Sequence, residues 1–250
     1  MTKRAAFVTG ASYGVGAATA LRLAREGFDV AVSATRADNL TDLMAKLVKT
    51  GVGVFPVVLD LRSQASIASA VDEAMSAFEG LDLLVNNAGA NLRKPALDVS
   101  PSEWEDLMAV NVTGPFFLSQ QFGRRLVEAG RPGSIVNIAS THGLVGAAER
   151  SAYGISKAAI VQMTRMLAIE WADYGIRVNA VAPGRLDTAS PSRAARTADP
   201  AYMGAMLKRI PLHRLATAEE VAGAVAYLAS ADAASITGQV LVLDGGLTAA

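Results

Sequence analysis

Along this chain, short runs of apolar residues alternate with longer stretches whose apolar positions recur at helical spacing. Ala5–Thr9, Asp29–Ser33, Val52–Leu59, Leu81–Asn86, Ser134–Ala139, Arg177–Val181 and Gln239–Leu243 read as strands. Gly14–Glu26, Asp38–Lys49, Ser63–Phe78, Ser102–Ala129, Ser151–Tyr174 and Ala218–Ala229 read as helices. The helix over Ser102–Ala129 is expected to bend near Gly114-Pro115, because proline removes a helix hydrogen bond. The strands are nearly uninterrupted apolar runs, the pattern of a parallel sheet covered on both faces. Regular alternation of strand and helix predicts a doubly wound α/β fold with a seven-stranded parallel sheet. No linker or repeat divides the chain, so one domain over residues 1–250 is expected. Residues 184–215 break the rhythm with three prolines and several arginines. An irregular segment of that length in a compact domain is usually functional, and here it is expected to be a substrate loop or lid.

Composition narrows the class. Hydrophobic residues make up 51% of the chain, enough for a large core. The 23 basic and 23 acidic side chains cancel, which gives no footprint for nucleic acid or a charged membrane surface. With no cysteine and only His142 and His213, disulfides and thiolate or histidine-rich metal sites are excluded, and no metal is expected. The apolar run near the N-terminus is too short for a signal peptide. No stretch reaches the ~18 apolar residues that a spanning helix needs. The expectation is a soluble cytoplasmic protein with no nucleic-acid or membrane partner.

Tyr153 and Lys157 stand four residues apart, one above the other on a helix face. A phenol alone is a poor acid or base at neutral pH, but a lysine ammonium within reach favours the phenolate. Ser140 closes the strand over Ser134–Ala139 and could hold a substrate oxygen against that phenol. Together they form equipment for moving a proton to or from a carbonyl oxygen, although Tyr-x-x-x-Lys by itself also fits an ordinary surface pair.

The run Thr9-Gly10-Ala11-Ser12-Tyr13-Gly14-Val15-Gly16 follows the first strand and opens the first helix. Glycines let the backbone turn sharply and approach a pyrophosphate, while a helix N-terminus supplies amide donors and positive potential. The second strand runs out through Ala34-Thr35-Arg36. A carboxylate there would hold the ribose 2′-hydroxyl of NAD, and Ala34 cannot. Thr35 and Arg36 suit a 2′-phosphate instead, which favours NADP over NAD. Asp38 is expected to serve as a helix N-cap.

With these residues assembled, the chain resembles the short-chain dehydrogenase/reductase family over nearly its whole length. Thr9–Gly16 matches the family's Thr-Gly-x-x-x-Gly-x-Gly, and Asn86-Asn87-Ala88-Gly89 its Asn-Asn-Ala-Gly. Asn111, Ser140, Tyr153 and Lys157 match its catalytic four; Pro183-Gly184 with Thr188 and Asp244-Gly245-Gly246 match its later signatures. The resemblance implies a Rossmann-type domain that interconverts a secondary alcohol and a ketone by hydride transfer with NAD(P). It implies Tyr153 as acid/base, Lys157 as the residue that binds ribose and favours the Tyr153 phenolate, Ser140 as the group that orients substrate, and Asn111 as the holder of a water in a proton relay. It places Gly10, Ser12, Tyr13, Gly14, Val15, Gly16, Thr35, Arg36, Asp60, Leu61, Asn87, Ala88, Gly89, Tyr153, Lys157, Pro183, Gly184, Leu186 and Thr188 around the dinucleotide. It also implies a homotetramer, with the helices over Ser102–Ala129 and Ser151–Tyr174 packed against their copies. One departure is that Tyr13 stands where many NADP-preferring members carry Arg or Lys.

The loops expected around the carbonyl, residues 90–97, 141–150 and 185–210, carry Arg93, Lys94, His142, Arg150, Arg185, Arg193 and Arg196. A basic rim suits an anionic substrate, and Leu144, Val145, Met203, Met206 and Leu207 equally suit a bulky ketone. Met163 and Met166 are expected in the core. The segments Asn91–Pro95 and Ala168–Gly175 look similar to family members acting on sugar acids and polyols. The alternatives are a 3-oxoacyl thioester reductase and a dinucleotide-binding regulator without turnover.

Overall fold

The computed structural model describes residues 3–187 and 199–249. One parallel sheet contains β1 (Ala5–Val8), β2 (Asp29–Ala34), β3 (Val54–Val58), β4 (Leu81–Asn86), β5 (Gly133–Ile138) and β6 (Ile176–Pro183). Two-residue strands β7 (Leu186–Asp187) and β8 (Ala216–Thr217) pair with each other, and β9 (Val240–Leu243) closes the sheet. The sheet has seven strands in the order β3-β2-β1-β4-β5-β6-β9, every neighbouring pair parallel. The chain winds outward from β1 to β3, then returns to lay β4 beside β1. Between β1 and β4 the winding reverses, and a crevice opens there at the carboxyl ends of the strands.

The helices are α1 (Gly14–Arg25), α2 (Thr41–Val48), α3 (Gln64–Ala77), α4 (Pro101–Met108), α5 (Gly114–Glu128), α6 (Ser151–Glu170), α7 (Pro200–Lys208) and α8 (Ala218–Ala229). They cover both faces, and the pleat sorts the strand residues between them. Ala5 and Phe7 of β1 join Ile67, Phe122 and Ile160 on one side. Ala6 and Val8 join Leu23, Leu43 and Val225 on the other. Successive strand side chains point to opposite faces, so a strand buried on both must be apolar throughout. All four β1 residues are buried.

Several expectations need correction. The long helix expected over Ser102–Ala129 is not one continuous α-helix. It is interrupted by a π-helical turn at Ala109–Thr113, and Pro115 falls in the first turn of α5, where a missing N–H costs nothing. Asp38 is not an N-cap: it lies inside a 3-10 turn, Ala37–Leu40, and α2 starts after Leu40 without a side-chain cap. Met163 is buried as expected, but Met166 is 48% exposed because it lies on the outward face of α6. The helix over Ser151–Tyr174 ends at Glu170 and continues as a separate 3-10 turn, Ala172–Tyr174, closed by Gly175 at φ 70°.

Candidate active site

The sequence-predicted residues gather at the carboxyl edge of the sheet. Gly10 follows β1, Thr35 and Arg36 follow β2, and Asp60 and Leu61 follow β3. Asn87, Ala88 and Gly89 follow β4, Ser140 follows β5, and Gly184 follows β6.

The glycine loop is tied to β4 by two side chains. Thr9 Oγ1 donates to the Val85 carbonyl at 3.2 Å and accepts from the Asn87 and Ala88 amides at 3.0 and 3.1 Å. Asn87 Nδ2 donates to the carbonyls of Thr9 and Gly10, each at 2.9 Å. The fit leaves no room for a side chain at two positions. A Cβ on Gly10, at φ +62°, would lie 2.7 Å from Ala88 Cα, and one on Gly16 would lie 2.4 Å from the Gly10 carbonyl oxygen.

Beyond this loop α1 begins with no side-chain cap and no acid in its first turn. By contrast Ser63, Ser100 and Thr217 cap α3, α4 and α8 with their hydroxyls. The α1 amides are therefore left for an anion, so the cradle fits the pyrophosphate of a dinucleotide. Tyr13 is exposed on its rim. At the end of β2, Ala34 is buried, whereas Thr35 and Arg36 are exposed. Asp60 is half-exposed and accepts from the Arg62 amide at 3.0 Å. Leu61 is buried, as is Leu186, whose side chain belongs to the apolar cluster under α1 and α8. Thr188, Arg193 and Arg196 lie outside the described residues.

Tyr153 and Lys157 lie on the first two turns of α6, and Ser140 opens the 3-10 turn Thr141–Gly143 that leans on that helix. The approach is close: a Cβ on Gly143 would lie 2.6 Å from the Lys157 carbonyl carbon, and one on Gly154 would lie 2.8 Å from the His142 carbonyl oxygen. Only glycine permits this, and the contact brings the end of β5 to the tyrosine. Ser140 is buried, and its Oγ accepts from the His142 amide at 3.2 Å. The His142 ring meets the Tyr153 ring edge-on at 6.1 Å between centroids.

Lys157 is buried and donates from Nζ to the Ile138 carbonyl at 2.9 Å. A Cβ on Gly89 would lie 3.6 Å from that ammonium, so the loop after β4 reaches it as well. Burying a charge against a carbonyl is costly, which favours a functional reason for keeping it. Nζ is 5.9 Å from the Tyr153 ring centroid, and the Arg150 guanidinium is 5.8 Å from it.

Asn111 lies in the π-turn, 1% exposed. Its Oδ1 accepts from the Ala90 amide at 2.7 Å, and its Nδ2 donates to the Ala90 carbonyl at 2.9 Å and to Ser156 Oγ at 3.0 Å. Ser156 in turn donates to the Tyr153 carbonyl at 2.7 Å. Sequence reasoning missed Ser156, Ala90 and the Ile138 carbonyl. A serine beside Lys157 on an otherwise apolar helix face was the available signal for the first; backbone partners leave none.

The basic rim divides. Arg93 is paired with Glu149, and Lys94 with Glu103 at 2.9 Å. The Ser100 amide and the Lys94 ammonium hold the Glu103 carboxyl down to about 2. Arg150 donates from Nη1 to Asn91 Oδ1 at 2.6 Å, and the Arg185 guanidinium lies 5.0 Å from the Tyr202 ring centroid. Leu144 and Val145 are exposed beside them. No group of metal-ligating side chains occurs among the described residues, and no helix among them is long and apolar enough to cross a membrane.

The family model described as Enoyl-(Acyl carrier protein) reductase matches residues 10–248. A glucose 1-dehydrogenase of Gluconobacter oxydans is 40% identical over 242 residues, 96% of this chain and 90% of the relative. A gluconate 5-dehydrogenase of the same organism is 33% identical over 243 residues, 97% and 94% of the two chains. A solved structure assigned as a 2-deoxy-d-gluconate 3-dehydrogenase from Agrobacterium tumefaciens, with NADP bound, superposes with a TM-score of 0.91 at 37% identity, covering 100% of this chain and 98% of the other. The chain belongs to the short-chain dehydrogenase/reductase family. It is an enzyme of that family, an NAD(P)-dependent oxidoreductase of alcohols and ketones.

Proposed function

We propose that this enzyme uses NADP to interconvert a secondary alcohol and a ketone on a sugar acid or a polyol. The observation that carries the chemistry is the junction of Ser140, Tyr153 and Lys157, held by the glycine contacts between the turn after β5 and α6.

A nicotinamide dinucleotide supplies the hydride when bound. The residues that would hold it are the Gly10–Gly16 loop, Thr35 and Arg36, Asp60 and Leu61, Asn87–Gly89, and the stretch beginning Pro183-Gly184. In reduction, Ser140 Oγ donates to the substrate oxygen while Tyr153 Oη gives its proton to that oxygen as negative charge develops. In oxidation the phenolate takes the proton back. Lys157, whose Nζ is 5.9 Å from the Tyr153 ring centroid, would hold the ribose hydroxyls and favour the phenolate. Asn111 is read as a positioning residue, because its amide is engaged by Ala90 and Ser156. It joins the loop after β4 to α6, so the water suggested by the resemblance would rely on a neighbouring carbonyl rather than on this amide.

The sugar-acid reading is supported by the gluconate-acting relative and by the cationic Arg150 beside the reacting phenol. The test is the change in NAD(P)H absorbance with sugar acids, polyols, ketones and 3-oxoacyl thioesters, in both directions and with both cofactors. Turnover of 3-oxoacyl thioesters in preference to hydroxy acids would replace this substrate reading with the reductase alternative. Tight cofactor binding without turnover of any class would favour a regulator.

The cofactor preference rests on the end of β2, where Ala34 and Thr35 carry no acid and Arg36 is exposed. Arg36→Ala should raise the Kd for NADPH about tenfold or more, the loss of one charge-assisted pair worth ~1.5–3 kcal/mol, with little change for NADH. Equal effects on both cofactors in fluorescence titration would remove the 2′-phosphate assignment.

The homotetramer is also proposed here. Trp104 on α4, Phe116 and Val127 on α5, Ile155, Met166 and Ile169 on α6, and Leu241 and Val242 on β9 are all more than a third exposed. Large apolar side chains this exposed on three helices and the edge strand favour burial between copies of the chain. Light scattering should give four times the 25.9 kDa chain mass; a monomer at micromolar concentration would refute it.

A further inference from the structure

We infer that Ser156 is a positioning residue of the reaction: it ties the first turns of α6, which carry Tyr153 and Lys157, to Asn111 of the π-turn, and so keeps the phenol and the ammonium in a fixed relation. The inference rests on the reading of Tyr153 as acid/base.

Ser156 stands between those two residues on α6 and is wholly buried. Alanine forms helix better than serine, and a buried hydroxyl is costly unless it is bonded, so packing alone does not call for serine here. Its Oγ is bonded twice. It accepts from Asn111 Nδ2 at 3.0 Å and donates to the Tyr153 carbonyl at 2.7 Å. The direction of both bonds follows from the chemistry. Asn111 Oδ1 accepts from the Ala90 amide at 2.7 Å, so the nitrogen end of the side chain faces Ser156, and the single hydroxyl proton is left for the carbonyl. The other Nδ2 hydrogen goes to the Ala90 carbonyl at 2.9 Å.

The chain of bonds therefore runs from the loop after β4, through the π-turn, to the backbone of the acid/base residue. A serine bonded back to a carbonyl of its own helix often bends that helix. Here the bond falls on the turn that aims Tyr153 and Lys157. Lys157 meets the same wall through its side chain. Its Nζ donates to the Ile138 carbonyl at 2.9 Å, and a Cβ on Gly89 would lie 3.6 Å from Nζ and 3.3 Å from Asn111 Oδ1. The ammonium and the Asn111 amide thus flank one stretch of backbone, and slack in the Ser156 tie would reach both.

The same helix holds a second buried hydroxyl of like design. Thr164 Oγ1 accepts from Asn137 Nδ2 at 2.9 Å and donates to the Ile160 carbonyl at 2.8 Å, about two turns farther along α6. Each tie stitches α6 to a buried asparagine. The tie at Ser156 ends on the residue that exchanges the proton, and the tie at Thr164 ends on a core isoleucine. Thr164 is therefore the control for a hydroxyl that only holds the helix in place.

The experiment measures kcat, KM and the pH profile of alcohol oxidation with NADP, using the alcohol of the panel above that wild type oxidises fastest, in wild type, Ser156→Ala, Ser156→Thr and Thr164→Ala. Lys157, Arg150 and the His142 ring face Tyr153 from α6, its N-cap and the turn after β5, and every variant keeps all three. Oxidation uses the phenolate, which the ammonium favours, so the rate climbs with pH. In Ser156→Ala the half-maximal point of that climb should move up by about half a pH unit or more. Its kcat should fall about tenfold, with KM within about threefold of wild type. Ser156→Thr, which keeps the hydroxyl, should regain most of both. Thr164→Ala should lose thermal stability as Ser156→Ala does, yet keep the wild-type profile. A wild-type profile in Ser156→Ala overturns the inference even if kcat drops, because a merely structural hydroxyl would give that result. A profile that moves equally in Thr164→Ala overturns it as well. Should Ser156→Ala fail to fold, Ser156→Cys, similar in size and only a weak donor, replaces it under the same criterion. Tyr153→Phe at the wild-type rate, or no turnover of any alcohol by wild type, sinks the acid/base reading and this inference with it. An inactive Tyr153→Phe beside an unmoved Ser156→Ala sinks this inference alone.

Discussion

Tyr153→Phe should lower kcat/KM by about 10²–10⁴-fold while NADPH binding stays within a factor of two. The magnitude follows from what is removed. A positioned proton donor typically contributes that range, and phenylalanine retains everything about the tyrosine except the hydroxyl. The contacts that seat the ring use its face and edge: the His142 ring at 6.1 Å, Arg150 at 5.8 Å and Lys157 at 5.9 Å. A phenyl ring keeps all three. The backbone of α6 keeps its Ser156 bond to the residue 153 carbonyl, and Lys157 keeps the Ile138 carbonyl. The thermal midpoint should therefore hold, within the ~0.5 kcal/mol usual for a change away from the core. Ligand binding and stability serve as internal controls. Loss of activity together with loss of NADPH affinity would mean that Tyr153 shapes the cofactor site rather than moving a proton. Activity within tenfold of wild type would mean that another group supplies the proton, and the role given to Tyr153 would be wrong.

How far this was legible in the sequence depends on the range of the forces involved. Leu81–Asn86 and Ala218–Ala229 match their expected bounds residue for residue. The first is buried at nearly every position, so its apolar run has sharp edges. The second starts at a capping box, where Thr217 and Glu220 satisfy each other's backbone amides, a local signal. Asp38 carried a similar local signal and misled, because a 3-10 turn intervenes before α2 and Leu40 is drawn into the core. The π-turn at Ala109–Thr113 could not have been read from spacing. It accompanies bonds from Asn111 to Ala90 and Ser156, residues 21 and 45 positions away. The same limit applies within the site. Tyr153, Lys157 and Ser140 could be named because their residue types are chemically uncommon in that pattern. The partners that aim them are backbone carbonyls and glycine contacts, to which no side chain draws attention. The pairing of Arg93 and Lys94 with carboxylates was equally hidden, since it depends on where Glu149 and Glu103 fall in space.

Gly16→Ala is expected to damage both cofactor binding and stability, although it adds only one methyl group. An ordinary glycine inside a helix costs about 1 kcal/mol relative to alanine, so replacing it usually helps. Here the added carbon would lie 2.4 Å from the Gly10 carbonyl oxygen, 2.5 Å from Asn87 Nδ2 and 2.9 Å from Ala11 Cα. Two of these are backbone atoms. The third belongs to an amide already bonded to two carbonyls of the same loop, so it cannot swing aside without releasing them. Overpacking of this kind typically costs ~1–3 kcal/mol, which exceeds the helical gain. The relaxation must lift the Gly10–Gly16 loop from β4 or push α1 outward. Either movement spreads the amides that would hold the pyrophosphate, so the Kd for NADPH should rise at least about tenfold, or ~1.4 kcal/mol. Gly223→Ala is the matched control. That glycine lies inside α8, and a Cβ there would meet only the flexible tip of Arg22, at 3.5 Å. Its thermal midpoint should stay level or rise, with cofactor affinity untouched. Calorimetry and fluorescence titration of both variants decide the matter. If Gly16→Ala binds NADPH as wild type does, the loop has slack that the close packing denies, and the cradle assigned to the pyrophosphate would have to lie elsewhere on the sheet edge.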